Sequence, residues 1–142
     1  MATVTANVTN SNTITVTIAS LATGSTNTSS AIDNSSNKFL EALVQMKIKS
    51  NAAGTSATGY ANIWLIRSSD GGTTYDDAGR VLLGVMPIIA NATTYISTFS
   101  TQGLGALGTS WKIAVENQSG AAFDATGGSH TAIFAGVKYD VA

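Results

Sequence analysis

Residues 39–77 constrain the fold most: they read as a strand, a loop, a second strand and a tight turn in unbroken succession. Val44, Met46 and Ile48 alternate with Gln45, Lys47 and Lys49, the two-residue period of a strand with one buried face. Tyr60-Ala-Asn-Ile-Trp-Leu-Ile-Arg67 is apolar on both faces and predicts a central strand. Between them, Ser50 to Gly59 holds only small and polar residues, which predicts a loop. Phe39, Leu40, Leu43 and Val44 also fit a helical stripe, and Glu41-Ala-Leu43 has good helix propensity. The alternation that begins at Val44 and the β-rich surroundings favour a strand.

The same period recurs along the chain. Residues 2–9 are extended but thinly apolar, an edge strand or an arm ordered by a partner, with Thr3, Val4, Thr5 and Val8 as candidate contacts. Ile14, Val16 and Ile18 alternate with threonines, predicting a strand over 13–18. Residues 19–37 are almost all Ser, Thr, Asn, Ala and Gly, too long for a structureless loop, so a short edge strand is expected at 30–33 and a turn at 33–37. Pro87, the only proline, removes a backbone donor and belongs at an edge or bend after Val81–Val85. Residues 93–100, 111–116 and 130–141 alternate again, and Ile133, Ala135, Val137 and Tyr139 share one face of the last strand. About eight strands without a helix predict an all-β protein, an antiparallel, jelly-roll-like β-sandwich. Residues 13–142 would form the sandwich and 1–12 its N-terminal arm or edge strand.

Composition narrows the partners. A net charge of −1 with 11% charged residues leaves no basic footprint for nucleic acid. Solubility must come from 20 Thr and 16 Ser, and so weakly charged a surface suits a chain that packs into an assembly, or simply a β protein with a polar face. The absence of cysteine removes disulfides and thiolate metal sites. No apolar run approaches the ~18 residues that span a bilayer. The first residues have neither a charged nor an apolar leader segment, so no signal peptide is expected.

Four groupings bear on chemistry. Ser68-x-Asp70-x-Gly72-x-Thr74-Tyr75 resembles the Asp-box, a hairpin of sialidases and other β proteins. Its carboxylate accepts backbone N–H bonds, its glycine takes positive φ, and its aromatic residue packs on the turn. A sialidase also needs an arginine cluster, and only Arg67 and Arg80 are present, so a structural hairpin is the expectation. Asp70, Asp76 and Asp77 are oxygen ligands for calcium by type, but not at EF-hand spacing. His130, the only histidine, stands beside Ser129, and strand neighbours point to opposite faces; Asp124 or Asp140 would be needed to orient it. Tyr60, Trp64, Tyr95, Trp111 and Tyr139 suit either a sugar platform or the core, and the core is favoured. No nucleophile elbow, phosphate loop or metal-spaced set occurs, so no catalytic residue, cofactor or enzymatic activity is expected.

Seven blocks, in order, resemble a group of small structural proteins of tailed bacteriophages and prophages. They are Ser20-Leu-Ala-Thr-Gly-Ser25, Ala31-Ile-Asp-Asn34, Phe39-Leu-Glu-Ala-Leu-Val44, Gly54-Thr-Ser-Ala-Thr-Gly-Tyr60, Asp70-Gly-Gly-Thr-Thr-Tyr75, Ala90-Asn-Ala-Thr-Thr-Tyr95 and Trp111-Lys-Ile-Ala-Val-Glu-Asn-Gln-Ser-Gly-Ala121. The resemblance spans roughly residues 20–138; the first twelve residues have no counterpart. It implies a capsid decoration or cement protein, homo-oligomeric, partnered by the major capsid protein and placed on the virion after synthesis in the host cytoplasm. The alternative it leaves open is a tail or fibre component that binds a host surface or carbohydrate.

Overall fold

The computed structural model describes residues 3–9 and 11–141. Met1, Ala2 and Asn10, within the segment expected over 1–12, and Ala142 lie outside the described residues. The strands are β1 (Val4–Val8), β2 (Asn12–Thr13), β3 (Thr26–Thr28), β4 (Ile32–Asp33), β5 (Glu41–Lys49), β6 (Tyr60–Ser68), β7 (Val81–Pro87), β8 (Thr94–Ser100), β9 (Ser110–Gln118) and β10 (Thr131–Val141). The first sheet runs β1-β10-β5-β8, with β2 also on β10; the second runs β3-β9-β6-β7, with β4 also on β9. Every ladder between named strands is antiparallel. β1 and β2 lie end to end along β10, and β3 and β4 end to end along β9, so the ten segments fill eight strand positions. Successive positions alternate between the sheets except at the β6–β7 hairpin, which is the winding of a jelly roll. The expected all-β sandwich is therefore the fold.

The core lies between the sheets and follows the alternation. In β5, Ala42, Val44, Met46 and Ile48 face inward, fully buried, while Glu41, Leu43, Gln45, Lys47 and Lys49 face out. Burying each of the larger three is worth ~1.5–3 kcal/mol, which decides the strand over the helix that residues 39–44 also permit. β6 and β9 add Ile63, Leu65, Trp111, Ile113 and Val115 from the other sheet. Pro87 ends β7, an edge strand of the second sheet.

Two segments depart from the sequence expectation. Residues 13–18 keep their alternation, with Ile14 and Ile18 buried, yet only Thr13 belongs to a strand. The reason is that this stretch leaves the first sheet for the second. Ile14 N–H donates to the Ala132 carbonyl, whereas the Thr15 carbonyl accepts from Ser30 N–H and the Thr17 carbonyl from Asn27 Nδ2. The segment closes one side of the sandwich instead of entering a ladder. Within 19–37, the edge pairing expected at 30–33 is held by Ile32 and Asp33 alone, and a further short strand, β3, forms from Thr26-Asn-Thr28, which has no apolar residue to announce it.

The facing of β10 matters most for function. Ala132, Phe134 and Gly136 turn inward, so Ile133, Ala135, Val137 and Tyr139 form the outward face. Gly136 is required by contact: a Cβ there would overlap the ring of Phe39. Phe39 and Trp111 pack edge-on against Phe134, at centroid distances of 6.5 and 5.0 Å.

Candidate interaction surface

The Asp-box-like hairpin is a self-contained hydrogen-bond cage. Asp70 Oδ1 accepts from Ser68 Oγ at 2.7 Å, Thr74 N at 2.9 Å and Thr73 N at 3.1 Å. These donors, the Thr74 amide foremost, hold the Asp70 carboxyl down at about 2. Gly72 sits at φ 89°, and its N–H donates to Ser68 Oγ. Tyr75 leaves the turn and lies on β9, with its hydroxyl 2.7 Å from Ser110 Oγ and Lys112 Nζ over its ring at 3.8 Å. An open cleft of about 320 Å³ beside the hairpin is lined by Arg67, Asp70, Tyr75 and Asp76. Its polar groups are already engaged: Arg67 Nη1 donates to the Leu104 and Ala106 carbonyls, and Asp76 Oδ1 accepts from Gly79 N.

The remaining titratable groups are dispersed. Among the described residues no three of His, Asp and Glu converge as metal ligands, and Asp70, Asp76 and Asp77 are not brought to one point. His130 is a brace: its Nε2 lies 2.8 Å from the Asp124 carbonyl oxygen, and its Nδ1 accepts from Lys49 N at 3.3 Å. The Asp124 carboxylate faces Thr126 N and Lys49 Nζ, and its pKa is lowered, mainly by the Thr126 amide. Asp140 is far along β10, bonded by Asn7.

The five aromatic residues do not form one platform. Trp111 is core, and Tyr95 faces inward, its hydroxyl accepting from the Ile89 and Ala90 amides. Tyr139 stands on the outer face of the first sheet. Tyr60 and Trp64 share the outer face of the second, where Trp64 Nε1, Asn62 Nδ2 and Gln118 Nε2 all donate to the Glu116 carboxylate. Those bonds, with Gln118 foremost, lower the Glu116 pKa. The Arg80 guanidinium lies 4.6 Å above the Trp64 ring, so one indole face is covered.

The outer face of the first sheet holds a separate set of exposed apolar residues. Cross-strand partners share a face, and the register aligns Val4 with Val141, Ala6 with Tyr139, Val8 with Val137, Ala135 with Leu43, and Lys47 with both Thr131 and Ile96. Val4, Val8, Leu43, Ile96, Tyr139 and Val141 are each between 41% and 69% exposed. Among the described residues, Glu41, Lys47 and Lys49 are the charges on this face. Lys49 pairs with Asp124, and neither Glu41 nor Lys47 has an ion-pair partner. The opposite side of the β1–β10 ribbon is polar, carrying Thr5, Asn7, Lys138 and Asp140. Thus, of the two forms expected for the first residues, an edge strand or an arm, Val4–Val8 takes that of an edge strand of the chain's own sheet, and Val4 and Val8 lie among its outward apolar residues. Sequence reading missed Leu43, Ile96 and Tyr139 as members. The available signal was that both faces of β10 are apolar.

The fold and these surfaces define a β-sandwich domain with exposed apolar residues on the outer faces of both sheets, Tyr60, Leu82 and Val85 on the second as well as the set on the first. No family model matches the chain, and no curated protein matches it. Among solved structures it is similar to the K1 cleaved adhesin domain of Lys-gingipain from Porphyromonas gingivalis, at 16% identity over 81% of this chain and 62% of that one, with a TM-score of 0.42. It is also similar to a CBM4 structure, at 15% identity over 89% and 68% of the two chains, with a TM-score of 0.40. Xylanase10C of Cellvibrio japonicus matches at 11% identity over 98% of this chain and 26% of its own, with a TM-score of 0.47. This chain therefore spans under two thirds of the adhesin and about a quarter of the xylanase.

Proposed function

We propose that this chain is a non-enzymatic virion protein of a tailed bacteriophage, a capsid decoration protein that seats the outer face of its first sheet on the major capsid protein and bridges neighbouring subunits. The observation that supports this reading is the exposed apolar group of Val4, Val8, Tyr139 and Val141 on the β1–β10 ribbon, with Leu43 beside Ala135, joined to the phage-like order of sequence blocks. A contiguous exposed apolar patch of more than a few hundred Å² is unusual on a monomer and marks an interaction site. Covering such surface contributes ~25 cal/mol/Å² gross, much of it offset by lost rigid-body freedom and side-chain ordering. Modest affinity per copy then becomes firm attachment through repetition on a symmetric shell. Purified protein added to heads lacking it should sediment with them and raise their melting temperature; protein that stays in the supernatant at high micromolar concentration refutes the reading.

One observation favours a second reading, a tail or fibre module that binds carbohydrate. Tyr60, Trp64, Asn62 and Gln118 set aromatic and amide groups together on the outer face of the second sheet. That reading requires Arg80 to leave the Trp64 ring, and binding to host glycans abolished by Trp64→Ala would establish it.

A further inference from the structure

The β1–β10 ribbon has an open edge with a self-complementary pattern. β10 continues past the end of β5: Val137 pairs with Glu41, and residues 138–141 pair, among the described residues, with β1 alone. This distal part is a two-stranded ribbon, exposed throughout β1. A two-stranded ribbon alone is marginal in water, and a third strand changes that. β1 carries none of the usual protection of an edge, having no lysine, no proline and no charge in Val4-Thr-Ala-Asn-Val8.

The direction of its free backbone groups follows from one bond. Thr9 N donates to the Gly136 carbonyl, in the register that pairs Asn7 with Lys138 and Thr5 with Asp140. Antiparallel strands alternate, so Thr5 and Asn7 turn their N–H and C=O groups toward β10, and Val4, Ala6 and Val8 turn theirs to the open edge. Those three are also the apolar-face residues of the strand. The sequence Val-Thr-Ala-Asn-Val reads the same in either direction as apolar, polar, apolar, polar, apolar.

We infer that β1 pairs antiparallel with β1 of a second copy about a twofold axis at Ala6. Val4 then faces Val8 of the partner, Ala6 faces Ala6, and Thr5 faces Asn7. Only this register joins all three outward-pointing residues of each strand as hydrogen-bonded pairs, about six main-chain bonds in total. It keeps the apolar face continuous across both copies and opposes no charges. The product is a four-stranded ribbon, β10-β1-β1-β10, with both apolar faces on the same side. A second copy is the occupant because the contact is isologous: one patch supplies both halves. The pairing buries well under the ~800 Å² per partner of a standard interface, so the isolated protein dimerises weakly, in the high micromolar range. This inference does not depend on the capsid reading, since it is read on the purified chain.

The chain has no cysteine, which makes Ala6→Cys a clean reporter. Facing residues of a hydrogen-bonded pair lie ~5.5 Å apart at Cα, wider at Cβ than a disulfide prefers but within reach of a short bis-maleimide. That reagent should join Ala6→Cys into a covalent dimer, whereas Leu82→Cys, exposed on the other sheet, should stay monomeric. Sedimentation of the unmodified chain up to about 1 mM should show a monomer–dimer equilibrium. Ala6→Pro, which removes only edge-facing donors, should weaken it roughly 10- to 100-fold with the melting temperature retained. A monomer throughout this range, equal cross-linking of both cysteine variants, or undiminished dimerisation of a folded Ala6→Pro variant overturns the inference.

Discussion

Asn34 is the polar group on which the approach to β5 depends. It is buried; its Nδ2 donates to the Phe39 carbonyl at 2.9 Å and the Gly108 carbonyl at 2.8 Å, and its Oδ1 accepts from Phe39 N at 2.9 Å. It thereby clamps the 34–39 turn to the loop that leads into β9. Asn34→Ala strips all three bonds and leaves two carbonyls and an amide to find water. At ~0.5–1.5 kcal/mol per bond the loss is about 2–4 kcal/mol, or roughly 7–13 °C in Tm for a domain of this size. Asn34→Asp is the sharper variant. It keeps the acceptor for Phe39 N but turns a carboxylate toward two carbonyl oxygens, which raises its folded pKa above the unfolded value. The folded state then binds more protons than the unfolded one between those two values, so stability falls as pH rises across that window. Thermal melts from pH 4 to pH 8 should show Asn34→Asp gaining stability toward acid while Asn34→Ala stays parallel to the unmodified chain. A Tm loss below about 2 °C for Asn34→Ala would refute the clamp, because water would then be replacing all three bonds.

Asp70 carries the opposite sign: its folded pKa lies at about 2, below the ordinary carboxyl value of 3.8. Its contribution is present above about 3.8 and is lost as pH falls toward 2, so a carboxyl titration followed by NMR should place its midpoint near 2, and Asp70→Asn should flatten the acid limb of the melting profile. Gly136→Val should cost ~1–3 kcal/mol by driving a side chain into the Phe39 ring, read as a lowered denaturation midpoint. Ile96→Thr with Tyr139→Ser should leave Tm within a few degrees, since both residues are largely exposed, yet should abolish sedimentation with heads.

How much of this was legible depended on whether one face or two faces of a segment are apolar. β5 declared itself because Val44, Met46 and Ile48 alternate with polar residues, and one register alone buries them. β6, apolar on both faces, was legible as central, and it lies between β7 and β9 in the second sheet. Residues 13–18 show the limit of periodicity: alternation reports which side chains are buried, not where the backbone hydrogen bonds go. β10 shows another limit. Its inward set is small (Ala132, Phe134, Gly136) because Phe39 fills the space above the glycine, so the larger outward set mimics a core face. Hydrophobicity alone cannot tell a face that is covered from one that waits for a partner. β3 was invisible because its stability comes from backbone pairing with β9 and not from its own side chains.

The most direct test of the capsid reading is the number of copies of this chain per purified phage particle, measured by quantitative mass spectrometry against the major capsid protein. Attachment to every repeat of a symmetric shell predicts on the order of hundreds of copies, all recovered with the head fraction. A dozen or fewer, recovered with tails, would contradict it.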